Sequence, residues 1–344
     1  MARIVIADDG ISFDGESPEA GPLGGVESSI VYLARELAGR GHQVMVRNKC
    51  ERAHLIDGVD WAPIREGLPE SADLYIANRG DKLLGQMPGA RRNIFWIHNP
   101  ARYLMKRRYL WKLWRVRPVI IFIGTYHATT YPAWAPDGGR GVIPYGIAEA
   151  FRQVPETGEL PPPRAIFTSN PLRSLDWLLD IWAGAIRPRV PEAELHLFTG
   201  ARTYGQVGAA KSSEMGRVLE QAGNLANAGV VLRQPVPKAE LIEELRQSRV
   251  MLYRGDINET FCLAVGEAQA AGVPAVVQNL GSVAERVRDG KTGTVAETDE
   301  EFADAAVQLL SDGPLWKQRH QAAKKHQCVW SWARAAQAFE GLIP

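Results

Sequence analysis

Apolar residues fall into short runs separated by polar, glycine-rich stretches, and these runs alternate with segments of helical spacing. Arg3-Ile-Val-Ile-Ala7 reads as a buried strand, and the Gly/Pro/Ser-rich stretch from Asp8 to Gly25 as a loop. From Val26 to Arg40, Ile30, Leu33, Ala34 and Leu37 share one helical face, with Gly39 and Gly41 punctuating the end. Gln43-Val-Met-Val-Arg47 follows as a second strand. Strand, loop, helix, strand is a βαβ unit, which implies a parallel sheet covered by helices. Further strands are expected at Leu74–Ala77, Asn93–Ile97 and Val119–Ile123, and Gly141–Ile147 closes this half. The Pro- and Glu-rich stretch from Pro155 to Pro163 reads as a linker between domains.

After it the pattern restarts. Strands are expected at Arg164–Ser169, Glu194–Thr199, Val230–Leu232, Val250–Tyr253 and Pro274–Gln278, with helices over Ser174–Ile186 and from about Phe261 to Ala271. The tail from Glu300 to Ile343 is expected to be mostly helical, interrupted near Gly313-Pro314 and around Val329. Two doubly wound α/β domains in tandem place a ligand in the cleft between them, on loops at the carboxyl ends of strands.

Composition narrows the class. With 344 residues, 45% hydrophobic and 23% charged, the chain is long enough for two globular domains and unlike a disordered one. A net charge of +1 gives no global attraction to nucleic acid, and none is expected as a partner. The three cysteines, Cys50, Cys262 and Cys328, are scattered without a CxxC pair, which fits a reducing cytoplasm better than a disulfide framework or zinc site. The N-terminus does not read as a signal peptide, and no run approaches the roughly 18–20 apolar residues a spanning helix needs.

The chemistry concentrates in Glu259-Thr-Phe-Cys-Leu-Ala-Val-Gly-Glu267, just after the strand ending near Tyr253. If the helix starts at Phe261, the backbone N–H groups of Phe261, Cys262 and Leu263 are free donors for a diphosphate, aided by the helix dipole. Glu267 could then accept from ribose hydroxyls and Glu259 from sugar hydroxyls. The competing reading is an acidic residue before a helix and a solvated helical glutamate. His98, in Phe95-Trp-Ile-His98-Asn-Pro, stands at the carboxyl end of a strand, which favours a site residue over a purely structural one. Asp8-Asp9 reads as a turn, and no metal constellation is visible. Arg102–Arg117 carries seven basic residues interleaved with Tyr and Trp and no acidic one. The readings are a surface for anionic membrane, a domain helix with Leu and Trp packed inward and charges in water, and RNA binding, which nothing else in the sequence supports.

Glu259–Glu267 with the following Ala271-Gly-Val-Pro-Ala-Val-Val and Gly281-Ser-Val-Ala-Glu285 resembles the donor-binding region of family 4 retaining glycosyltransferases. Gly24-Gly25-Val-Glu27 is similar to the family's N-terminal glycine pair, and Val142-Ile-Pro-Tyr-Gly-Ile147 to its Ile/Val-Pro-Asn-Gly-Val. The resemblance implies the GT-B fold, two Rossmann-like domains facing across a cleft. It divides the chain into an acceptor domain over 1–154, a donor domain over 155–326 and a last helix over 327–344 that crosses back. It implies a retaining transferase acting on a nucleotide sugar, without metal or other cofactor, and a glycan or lipid-linked acceptor. The protein would be cytoplasmic, and peripheral at the inner face of the plasma membrane if Arg102–Arg117 binds lipid.

By the same resemblance Gly24 and Gly25 let backbone approach the diphosphate or acceptor, and Glu259 contacts the transferred sugar with Thr260, Phe261, Cys262 and Leu263 around it. Glu267 meets the ribose. His98 contacts the sugar or positions the acceptor. Arg173, in Asn170-Pro-Leu-Arg173, falls where the family has a lysine, and its guanidinium could pair with phosphate. One departure stands out: the second basic residue expected upstream is replaced by Thr168, Ser169 and Asn170. Either their hydroxyl and amide groups take its place, or another arginine such as Arg254 reaches in. The alternatives are a GT-B epimerase, a phosphorylase (which would need pyridoxal phosphate) and a non-catalytic nucleotide-sugar-binding protein.

Overall fold

The computed structural model describes residues 1–344 apart from 22, 156–158, 201–211 and 328, with backbone alone at 212; Cys328 and part of the expected linker lie outside the described residues. The chain forms two compact units, Met1–Gly146 with Trp330–Pro344, and Ile147–Val329.

The first unit is built on eight strands: β1 Arg3–Asp8, β2 Gln43–Asn48, β3 His54–Ile56, β4 Val59–Pro63, β5 Ala72–Asn78, β6 Ala90–Trp96, β7 Val119–Phe122 and β8 Arg140–Val142. Their order is β3-β4-β2-β1-β5-β6-β7-β8, and only the β3–β4 pair is antiparallel. Helices α1 (Gly25–Gly39) and α2 (Arg107–Val116) serve this unit. On α1 the residues Ile30, Leu33, Ala34 and Leu37 are all buried, as their spacing requires. The closing helix Trp332–Glu340 also belongs here. A Cβ on Gly146 would lie 2.3 Å from the Trp332 nitrogen, so the Pro-Tyr-Gly segment is pressed directly against the start of that helix.

The second unit has β9 Arg164–Phe167, β10 Glu194–Phe198, β11 Val230–Arg233, β12 Val250–Tyr253, β13 Ala275–Gln278 and β14 Gly293–Ala296, all parallel. Helices α3 (Leu175–Ile181), α4 (Lys238–Arg246) and α5 (Leu263–Ala270) follow β9, β11 and β12. The order β11-β10-β9-β12-β13-β14 reverses direction between β9 and β12. Chains leaving two adjacent strands there go to opposite sides, which opens a crevice at the carboxyl edge. The sheet is anchored by full burial of Ala165, Ile166, Val250, Met251, Leu252 and Tyr253. Each large apolar side chain so buried stabilises by about 1.5–3 kcal/mol.

Candidate functional site

The residues after β9 and β12 form the polar cluster of the second unit. Chain leaving β9 reaches Arg173 just before α3, and Ser174 takes left-handed backbone (φ 56°) to turn into the helix, its hydroxyl donating to the Gly255 carbonyl at 3.3 Å. Chain leaving β12 turns through Gly255 and Asp256 to Glu259, whose N–H donates to the Asp256 carbonyl at 2.8 Å. This loop is braced from behind by Gly281. Its φ is +68°, and a Cβ there would sit 2.1 Å from the Asp256 carbonyl oxygen, so both conformation and space demand glycine.

Arg173 stands 3.1 Å from the Asp256 carboxylate. Burial works against its charge, but Glu259, Tyr253 and Asp256 outweigh that and raise its pKa. The Tyr253 hydroxyl donates to Glu259 Oε2. Burial raises the Glu259 pKa above the usual glutamate range, while Arg173 and the Tyr253 hydrogen bond pull the other way. One arginine, two carboxylates and a phenol thus share a site in which the carboxylates hold the cation in place. Arg173 and Glu259, proposed from sequence, meet here. Tyr253 reads in sequence only as the end of a strand, and Asp256 is not singled out there.

Helix α5 begins at Leu263, two residues later than the spacing suggests, because Cys262 adopts left-handed backbone (φ 62°) and acts as its N-cap without a capping side-chain hydrogen bond. The first turn therefore starts at Leu263, with the Val265 N–H against the Cys262 sulfur, whereas Phe261 and Cys262 are buried in the approach. Thr260 is buried as well. The Phe261 ring carries the buried Arg286 guanidinium 4.3 Å from its centroid. Glu267, on the second turn, pairs with Lys238 at 3.4 Å. Arg254 is turned to other partners: its guanidinium lies 4.7 Å from the Trp177 ring and donates to Gln278 Oε1 at 2.9 Å.

The first unit has its own polar cluster where β1 and β5 end. Asp8 shapes the turn through its bond to Gly10, but it also closes β1, pairs in register with Asn78 and is fully buried. Its carboxylate accepts from Gly10 N–H at 2.8 Å and from the Asn78 amide, and Arg79 approaches it at 3.4 Å. Since the carboxylate can only accept, Asn78 presents its amide NH₂ to it and its carbonyl oxygen to His98. His98 therefore donates from Nε2 to Asn78, and its Nδ1 accepts from the Tyr145 hydroxyl. Burial and the nearby Arg79 push the His98 pKa well below the usual range, so the ring is neutral. Both of its ring nitrogens are engaged inside the unit, and in this arrangement neither is turned to a sugar. Gly24 and Gly25 open α1, and a Cβ on Gly24 would fall 2.3 Å from Glu27 Oε2. The Glu27 carboxylate, held by Arg79 at 2.7 Å, thus lies at that helix N-terminus.

Helix α2 shows which way the side chains of the basic segment face. Tyr109 and Leu113 pack inward, but Trp111 and Trp114 are 62% and 60% exposed and stack on each other at 5.6 Å. Arg108 and Lys112 lean on Asp81 at 3.6 and 3.3 Å, while Arg102, Lys106, Arg107, Arg115 and Arg117 are exposed. The tryptophans are outside, not in the core.

Among the described residues no helix is long and apolar enough to cross a membrane, and no group of three or more His, Cys, Asp or Glu side chains is gathered as a metal site would need.

Residues 163–312 match the family described as glycosyl transferases group 1. A D-inositol 3-phosphate glycosyltransferase of Corynebacterium diphtheriae is 36% identical over 110 residues, 31% of this chain and 26% of that protein, so the match spans about a quarter of the relative's length. The Nocardia farcinica enzyme of the same name is 23% identical over 95% of this chain and 85% of its own. Among solved structures, Anabaena Alr3699/HepE in complex with UDP and glucose superposes with a TM-score of 0.73 at 14% identity, covering 99% of both chains. That likeness shows the GT-B fold.

Proposed function

We propose that this chain, whose residues 163–312 match the family described as glycosyl transferases group 1, moves a sugar from a nucleotide-sugar donor to an acceptor hydroxyl with retention at the anomeric carbon. The observation that carries the reading is the gathering of Arg173, Tyr253 and Glu259 at the β9/β12 switch point, just ahead of the first turn of α5. An anionic diphosphate suits the N–H groups and dipole of that turn, and Arg173 suits the charge that develops as it leaves. Helix dipole and guanidinium together take the part a metal ion plays elsewhere. Glu259 is placed for hydroxyls of the sugar, and Glu267 for those of the ribose.

In the step itself, the acceptor oxygen bonds to the anomeric carbon on the face that the phosphate oxygen leaves. The acceptor proton passes to the departing diphosphate. The first unit is the acceptor-binding one, with Gly24 and Gly25 at the start of its helix α1. There, the neutral, doubly hydrogen-bonded His98 serves to hold Tyr145 and Asn78 in place. The exposed Trp111–Trp114 stack, ringed by cations, favours an acceptor carried on an anionic membrane surface, with the protein peripheral to it on the cytoplasmic side. The curated relatives act, by name, on D-inositol 3-phosphate, a small phosphorylated acceptor. The exposed tryptophans favour a lipid-linked or glycan one here.

The test is release of nucleoside diphosphate from a panel of UDP-, GDP- and ADP-sugars, with and without acceptor. At least one donor is expected to turn over, and Glu259→Ala and Arg173→Ala to fold normally while losing roughly 100-fold or more in rate. Full activity in either variant removes that residue from the site, and no turnover of any donor contradicts the transferase reading.

A further inference from the structure

We propose that Tyr253 is a positioning residue for the transferred sugar: its hydroxyl takes Oε2 of Glu259 and so fixes the direction in which that carboxylate meets sugar hydroxyls. The inference rests on the donor reading above and deepens it. The backbone of Glu259 is held at both ends. Its N–H donates to the Asp256 carbonyl at 2.8 Å, and its carbonyl accepts from Ser282 N–H at 3.1 Å. The side chain beyond is flexible, so a fixed backbone alone leaves the carboxylate free to swing. Tyr253 supplies what the backbone cannot. It ends β12 in register with Val277 of β13, is fully buried, and packs its ring 5.8 Å from that of Phe167. A phenol packed on a strand in this way has one direction for its hydroxyl, and that direction is towards Glu259.

Burial pushes the Tyr253 pKa well above the ordinary phenol value, so the hydroxyl keeps its proton and stays a donor. Any buried phenol needs some acceptor. What marks this pair is the rest of the carboxylate's surroundings: the Cys262 thiol donates to it as well, Arg173 attracts it, Asp256 repels it, and Glu259 remains partly exposed. An ionised carboxylate offers about four lone-pair sites, so the phenol and the thiol leave room for sugar hydroxyls. Tyr253, itself fully buried, reaches the sugar only through Glu259. Aim matters most in the step itself, where a misplacement of about 1 Å can cost about 100-fold in rate. The diphosphate half of the donor does not depend on it.

Tyr253→Phe keeps the ring and removes only the hydroxyl. Calorimetric titration of the intact chain with UDP, GDP and ADP, beside turnover of the UDP-, GDP- and ADP-sugars, tests its role. The variant is expected to bind the diphosphate within about twofold of wild type and to turn over the matching sugar donor about tenfold more slowly. Combined with Glu259→Ala, the same change is expected to cost less than about twofold, because the group it acts through is gone. Wild-type turnover is expected to fall as pH drops through the Glu259 pKa. In Tyr253→Phe this acidic limb is expected at higher pH, since the ionised carboxylate has lost a donor. A tyrosine that only fills the core would leave the limb in place and cost as much beside Glu259→Ala as in wild type. Either result, unchanged turnover, or a matching loss of diphosphate binding overturns the inference and leaves the donor reading standing. A Tyr253→Phe chain that no longer melts cooperatively would make the hydroxyl structural, with the same consequence. If wild type turns over no sugar donor, the donor reading falls and takes the inference with it.

Discussion

Glu259 sits where its charge is disfavoured, and that has a consequence for stability. Burial raises its pKa in the folded chain, only partly offset by Arg173 and Tyr253. A raised carboxyl pKa contributes stability that is complete below the ordinary glutamate pKa and lost as pH rises through the raised value. At neutral pH the ionised side chain is therefore a cost, as expected of a residue kept for binding. Glu259→Gln should melt higher than wild type at pH 7.5, by roughly 2–4 °C if about 1 kcal/mol is relieved. The gap should close on acidification towards the ordinary glutamate range. A variant that melts lower at pH 7.5 would show that the charge stabilises the fold. At this scale the sequence made Glu259 and Glu267 visible, since their spacing before and within a helix is local. Lys238, Tyr253 and Asp8 were not, because their partners come from sheet order and not from neighbouring positions. The partners of Arg254 were hidden for the same reason: nothing local reveals that Trp177 waits across from it.

Elements with strong periodicity were legible and short ones were not. The spacing on α1 gave its buried face, and the branched runs gave β1, β2, β9 and β12 within a residue or two. Strands β3 and β4 were missed because three and five residues broken by Asp57-Gly58 and closed by Pro63 show little alternation. β14 was hidden in what reads as a pair of glycine turns at Gly290 and Gly293. The helix expected over Ser174–Ile186 is α-helical only to Ile181 and then widens to a π turn around Gly184. Helix α2 illustrates a limit of another kind: a basic helix with interleaved aromatics is visible in sequence, but which way the tryptophans face is decided by packing of Tyr109 and Leu113. Their outward stack predicts preferential binding to phosphatidylglycerol vesicles over phosphatidylcholine, lost at high salt. Trp111→Ala with Trp114→Ala should cut that binding about tenfold without lowering the melting temperature, since both rings are exposed. Equal binding to both lipids, or none, would contradict a membrane-facing role.

Both units place their polar clusters by one rule. In the first, β1 and β5 end at Asp8 and Asn78; in the second, β9 and β12 lead to Arg173 and Glu259. Each pair of strands straddles the point where the sheet reverses direction, so the fold itself selects which loops carry chemistry. The restart of the strand–helix pattern after the linker made two Rossmann-like halves legible, whereas the occupants of each switch point required the strand order. The central claim is that the second unit receives a nucleoside diphosphate at the start of α5. Hydrogen exchange of the intact chain, with and without a saturating nucleoside diphosphate chosen by the titration, tests this most directly. The account predicts slowed exchange at Leu263, Ala264 and Val265 and in the loop from Arg254 to Glu259. Protection confined to the unit formed by Met1–Gly146 and Trp330–Pro344, with the α5 amides unchanged, would contradict it.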